Sequence, residues 1–236
     1  MTDEPKNIIR QLTRQQRRVL GTLMEKGFTT PDQYPMTLKG ITTGCNQKSN
    51  RDPITEYTEG EVADALEELR DLGLVAEVFT DGGRTARYRH YMRLRFDFTE
   101  QQHAIICELL LRGRQQPGEL RTRASRMIRL DSQEQLKAEL QGLADKGFLQ
   151  ASDALDRRGV EVDHTFYSPS ENMALRRQAG GEREDVGVAT VAVKAVGGEA
   201  PHGVLHEIQE QLERMQGALD SVRQRLDRIE RELGLG

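Results

Sequence analysis

The sequence predicts an α+β protein, mostly helical, made of one unit repeated in tandem and followed by a long C-terminal helix. Three observations carry this: an internal repeat, a helix-then-hairpin order inside each copy, and a sustained 3-4 alternation of apolar residues near the end.

The repeat shows first in the opening helices. Residues 13–27 read TRQQRRVLGTLMEKG and residues 99–113 read TEQQHAIICELLLRG. Each begins with a threonine able to accept backbone N–H bonds as a helix cap. Val19, Leu20, Leu23 and Met24 then match Ile105, Ile106, Leu109 and Leu110, giving one buried helical stripe per copy. Both segments end at a glycine suited to a helix C-terminus, Gly27 and Gly113. The likeness resumes at LEELRDLGLV from Leu66 and LQGLADKGFL from Leu140. Duplication of one unit is the simplest account.

Within copy one, Thr58 and Glu61 form a capping box opening a helix with Val62, Ala65, Leu66 and Leu69 on one face. LVAEVFT and RTARYRHY follow as two strands around Asp81-Gly82-Gly83. In copy two Asp131 and Glu134 are the expected cap, Leu136, Leu140 and Leu143 pack, and FLQASDAL and VEVDHTFY form a hairpin around Arg157-Arg158-Gly159. Helices followed by a two-stranded wing describe a winged helix-turn-helix. The first helices lie 86 positions apart and the third helices 74, so copy one carries 12 more residues between them. Two winged-helix domains are thus expected at 1–97 and 98–169.

After them, residues 170–201 have glycine pairs and no sustained period, and read as a flexible linker. In the last segment, 202–236, Leu205, Ile208, Leu212, Met215, Leu219, Val222, Leu226, Ile229 and Leu233 alternate at three and four. About four such heptads predict a coiled coil and a homo-oligomer through this helix. The competing structure is one amphipathic helix folded back on its own domains.

The segment unique to copy one contains TTPDQYP and CNQKSNRDP, and copy two contains RGRQQPGELRTRA. Together these closely resemble the YceH-like family of bacterial proteins of unknown function, over much of residues 12–168. The resemblance implies tandem winged helices and a bacterial cytoplasmic origin. It implies no activity.

Composition narrows the function classes. Hydrophobic residues make up 36% and aromatics 5%, with no tryptophan, a lean supply better suited to small helical units than to one broad core. The net charge of -4 argues against a generic nucleic-acid binder, so any basic patch is local. Cys45 and Cys107 form no CxxC pair and are too few for a disulfide framework; Cys107, within an apolar run, reads as a buried thiol. No export signal and no stretch of the roughly 20 apolar residues that cross a bilayer is found, so a cytoplasmic, non-membrane location is expected.

Nothing in the sequence assembles a catalytic set, and no enzyme, cofactor or metal is expected. The five histidines are scattered. His202 and His206 have the i, i+4 spacing of metal ligands but no third partner, so they read as surface. One dense polar cluster remains: Asn46, Gln47, Lys48, Asn50, Arg51 and Asp52, either a structured turn or an interaction surface.

Two partner classes follow from charge. A winged helix that reads DNA puts its third helix in the major groove. Here that helix carries Glu59, Glu61, Asp64, Glu67, Glu68 and Asp71 against Arg70 in copy one, and Asp131, Glu134, Glu139 and Asp145 against Lys137 and Lys146 in copy two. DNA is then expected to meet other arginines, on the wings and around the second helix of copy two: Arg84, Arg87, Arg89, Arg112, Arg114, Arg121, Arg123, Arg126, Arg129, Arg157 and Arg158. The first helix adds Arg14, Arg17 and Arg18. The rival expectation is a protein partner, with winged helices and tail serving as a scaffold and the arginines pairing with nearby carboxylates.

Overall fold

Thr13 starts the first helix by accepting the Gln16 N–H, while the Gln16 side chain accepts the Thr13 N–H, a reciprocal cap at 3.2 and 2.8 Å. Thr99 and Gln102 repeat it at 3.0 and 3.2 Å. The computed structural model describes residues 9, 11–79 and 85–175, all within one compact unit.

Copy one runs α1 (Arg14–Thr29), β1 (Met36–Thr37), α2 (Leu38–Cys45), α3 (Glu59–Asp71), β2 (Val75–Val78) and β3 (Arg87–His90). A short helix, α4 (Met92–Arg95), leads into copy two: α5 (Glu100–Arg112), α6 (Pro117–Ala124), α7 (Gln133–Asp145), β4 (Leu149–Ala151) and β5 (Val162–His164). The chain is therefore α+β, with each copy closing on an antiparallel hairpin. Val75 stands opposite His90 in the first and Leu149 opposite His164 in the second.

The duplication extends to details of the turn between third helix and hairpin. Gly73 and Gly147 take positive φ, at 67° and 75°, where a side chain would be strained. The next residues, Leu74 and Phe148, both donate backward to Leu69 and Leu143 at 2.9 Å. His90 and His164, again 74 positions apart, each accept through Nδ1 the N–H two residues on, at 3.3 and 3.2 Å.

Three expectations are corrected. Gly27 does not end α1, which continues to Thr29; a side chain at Gly27 would press the His90 ring at 3.3 Å, so close approach explains this glycine. Ser132, not Asp131, caps α7 by accepting the Gln135 N–H, and Asp131 is turned to Arg129 instead. The hairpin of copy one gains a third strand: Met36 pairs with Tyr88, and the Tyr34 hydroxyl accepts the His90 N–H at 2.6 Å, docking the TTPDQYP segment on the sheet. Leu20, Leu66, Ile105, Leu140 and Phe166 belong to one continuous buried cluster.

The copies meet chiefly through α1 and α5. Gly21 makes this possible: a Cβ there would stand 3.0 Å from the Leu111 side chain. Cys107 Sγ fills the crossing, 3.3 Å from the Gly21 carbonyl oxygen. Both cysteines are buried, as read for Cys107. The linker 170–201 beyond residue 175, the seam from Leu205 to Leu233, Arg84 and the first turn tip lie outside the described residues.

Candidate functional site at the junction of the two copies

The third helices present their acid outward. Val62, Ala65, Leu66 and Leu69 are buried, while Glu59, Glu61, Asp64, Glu67, Glu68 and Asp71 are all exposed. Glu61 is used by the cap and Glu68 accepts the Gln16 amide at 2.8 Å; the other four face water. On α7, Glu134 and Asp145 are exposed and Glu139 accepts the Thr99 hydroxyl at 2.8 Å.

The arginines do not form one stripe. Arg112 and Arg126 are drawn into the junction described below. Arg121 donates to the Leu130 and Asp131 carbonyl oxygens, and Arg123 is paired with Glu119 and Gln115. Arg87 donates to the Pro35 carbonyl oxygen at 2.9 Å. Of the wing and copy-two arginines, those exposed and outside the junction are Arg89, over the Tyr91 ring at 5.5 Å, and Arg114, Arg129, Arg157 and Arg158. Three of those five meet a carboxylate: Arg114 with Glu161, Arg129 with Asp131, Arg157 with Asp153. Such exposed pairs are weak.

The Asn46–Asp52 cluster turns mostly inward. Asn46 clamps Tyr57 through both its backbone N–H, at 2.8 Å, and its carbonyl, at 2.7 Å. Asn50 sits at φ 58°, a left-handed position that asparagine tolerates. That turn drives Arg51 into the interior, where its side chain is 0% exposed and donates to Glu25 Oε2 at 2.6 Å and to the Gly44 carbonyl oxygen at 3.0 Å. Lys48 and Asp52 stay at the surface, and the Asp52 N–H donates to the Leu111 carbonyl oxygen at 3.1 Å.

Copy two completes the network. Arg126 Nη1 stands 2.5 Å from Glu25 Oε1 as an ion pair without the alignment of a hydrogen bond, and Nη2 donates to Glu108 Oε2 at 3.1 Å. Arg112 donates to Glu108 Oε1 at 3.2 Å and to Asn50 Oδ1 at 2.8 Å. Burial alone would raise the Glu25 carboxyl, but Arg51 and Arg126 outweigh it and hold the group below its ordinary range. The stretches around CNQKSNRDP and RGRQQPGELRTRASRM thus join hands across the junction. Glu25 and Glu108 were missed by sequence reasoning. The available signal was the run Arg18, Thr22, Glu25 along one face of α1, beside the apolar stripe.

A groove opens at the junction's edge, lined by Arg14, Arg17 and Arg18 of α1, Asp52 and Pro53, Leu109, Leu110 and Arg112 of α5, and Arg114, His164, Tyr167 and Glu171 of copy two. Arg17 grips Glu171 at 2.6 and 2.9 Å, lies over the Tyr167 ring at 4.5 Å and donates to the Leu12 carbonyl oxygen at 2.6 Å. The Tyr167 hydroxyl donates to buried Asp163 at 2.9 Å. Burial pushes Asp163 up to about 6 and His164 down to about 3.

The thiols have little chemistry to offer, since burial raises both Cys45 and Cys107 and keeps them protonated. Among the described residues no group of three His, Cys, Asp or Glu side chains could hold a metal, and no helix is long and apolar enough to cross a membrane.

A duplicated helix-and-hairpin protein with a polar lock between its copies is the class these features define. Residues 12–159, which run from α1 past β4 and include every member of the lock, match a family model described as a protein of unknown function, DUF480, and the chain belongs to that family. It is 36% identical over 228 residues to a UPF0502 protein of Pseudoalteromonas atlantica, covering 93% of this chain and 98% of that one. A UPF0502 protein of Rhodopirellula baltica is 44% identical over 159 residues, 67% and 66% of the two chains. Another from an Azoarcus species is 35% identical over 219 residues, 89% and 92%.

Proposed function

We propose that this chain is a non-enzymatic interaction scaffold: two winged-helix units locked to each other, offering the acidic outer face of α3 to a basic protein surface. Three helices closing on a hairpin in each copy support the winged-helix reading. The observation that carries the functional reading is the exposure of Asp64, Glu67 and Asp71 on the helix that other winged helices lay against DNA. Bringing that face to phosphates costs repulsion where binding ordinarily gains counterion release. A basic protein surface meets it with complementary charge. Protonated, buried thiols and buried, neutral histidines favour binding over catalysis. The 3-4 seam from Leu205 to Leu233 adds association between copies, and with it avidity.

The test is a pull-down with the full chain, with and without nuclease, beside an Asp64→Lys/Glu67→Lys/Asp71→Lys variant. A partner retained after nuclease and lost on charge reversal supports the scaffold. Capture that disappears with nuclease overturns it.

A second reading rests on the exposed hairpin arginines Arg89, Arg157 and Arg158, which would hold DNA phosphates without the third helix. It predicts a duplex shift at about 50 mM salt that fades steeply as salt rises. No shift there, or a shift unaltered in Arg157→Gln/Arg158→Gln, removes it.

A further inference from the structure

The groove at the junction's edge encloses about 510 Å³, within the range of small-molecule sites. Five guanidinium groups line it against two carboxylates, Asp52 and Glu171. Two of the five are committed: Arg17 to Glu171, and Arg112 to Glu108 behind the wall. The other three are not equivalently served.

Arg18 is the unusual one. It is 4% exposed, yet its acceptors are backbone carbonyl oxygens, Pro53 at 2.7 Å and Cys45 at 3.4 Å, and among the described residues it has no carboxylate partner. A cation so far from water and without a counter-charge is costly. Burial first, and then the neighbouring Arg51 and Arg14 charges, push its pKa below the ordinary arginine value. Arg14 is exposed at the groove mouth and makes no ion pair among the described residues. Arg114 meets Glu161 only at 3.5 Å, both side chains nearly half exposed, an arrangement that exchanges readily for a stronger acceptor. Between these cations lie the apolar walls Pro53, Leu109 and Leu110.

We propose that this groove binds a small phosphate ester, its polyanionic head held by Arg14, Arg18 and Arg114 and its body laid against Pro53 and Leu110. Guanidinium forks match phosphate oxygens in geometry as well as charge. A bound dianion would supply the counter-charge that Arg18 lacks. The site is independent of the scaffold reading, because α3 takes no part in it. Lying where both copies contribute, it would let a metabolite bear directly on the junction.

The experiment is calorimetric titration of the full chain with sodium pyrophosphate and, separately, with ATP at constant ionic strength. Saturable one-to-one binding is expected, weakened about tenfold or more in Arg14→Gln and in Arg114→Gln, the size of one lost charge-assisted hydrogen bond. Arg18→Gln is expected to weaken it further; should that variant fail to fold, the two exposed positions decide. Lys39→Gln, an exposed cation of α2 outside the groove, is expected to bind like the parent. Failure to saturate by about 10 mM of either probe, weaker than any specific site of this kind, overturns the proposal. So does equal binding by Arg14→Gln and Arg114→Gln. Loss of duplex DNA binding in Arg14→Gln, with no pyrophosphate binding by the parent, also overturns it and assigns the groove to a nucleic-acid backbone.

Discussion

Glu25 of copy one and Arg126 of copy two meet at 2.5 Å across the junction, and the same guanidinium reaches Glu108 at 3.1 Å. Two carboxylates from facing helices, 1% and 0% exposed, are thus bridged by one cation. Arg51 supplies the second charge that Glu25 needs, and Arg112 the second for Glu108. Buried charges of this kind fix relative placement more than they add stability, because a slip of either helix strands a charge.

The first prediction concerns Arg51. Arg51→Met removes the aligned hydrogen bond to the Glu25 carboxylate and is expected to destabilise by about 3–5 kcal/mol, as for a broken buried pair. Adding Glu25→Gln should recover part of that loss. Urea midpoints of the two variants check the order; a double variant no better than the single would remove the pairing from the account.

Gly21 gives a test with a definite sign. Alanine normally improves a helix by about 1 kcal/mol over glycine. At Gly21 the new Cβ would lie 3.0 Å from Leu111 Cγ and Cδ2 and 3.2 Å from Leu110 Cβ. Gly21→Ala should therefore lose stability, by about 1–3 kcal/mol as overpacked cores do. Gly60→Ala, whose Cβ meets only Thr58 Oγ1 at 3.9 Å, should be neutral or slightly stabilising. Thermal unfolding of both compares them directly.

Acid should weaken the fold from near pH 6.5 downward. Burial lowers His164 from 6.5 to about 3 and His90 to about 4, so between those values the unfolded chain takes up protons that the folded chain refuses. Stability from these groups is whole above 6.5 and is lost as pH falls through 4 and 3. By pH 4, His164 alone accounts for on the order of 3 kcal/mol. Asp163 acts oppositely: raised to about 6, it favours the folded state as pH drops from 6 towards 4. Two histidines against one aspartate leave a net loss. His164→Asn keeps an acceptor for the Phe166 N–H and should flatten the urea-midpoint profile between pH 6.5 and 4; an unchanged profile would contradict the assignment.

Much of the fold was legible because it rests on periodicity. Val19, Leu20, Leu23 and Met24, and their partners in copy two, are buried as their spacing requires. The caps at Thr13, Thr58 and Thr99 follow from local chemistry alone. The shared core was hidden, since no local pattern says that two copies will pack stripe against stripe. A glycine at position 21 carries that information only once Leu111 is known to face it. The polar lock was hidden for a related reason: a charged residue beside an apolar stripe reads as solvated, and only long-range pairing turns Glu25, Arg51 and Glu108 inward. The arginines of copy two looked like one basic patch because sequence shows the cations and not the carboxylates, 2.5 to 3.5 Å away, that answer several of them.

If the two copies are one folding unit held by the lock, native-state hydrogen exchange of the full chain shows it most directly. Amides of α3 and of α7 should open with the same free energy, and Arg126→Met should lower both by the same amount. If α3 and α7 open with different energies, and the variant moves only one of them, the copies are separate domains and the junction is not a lock.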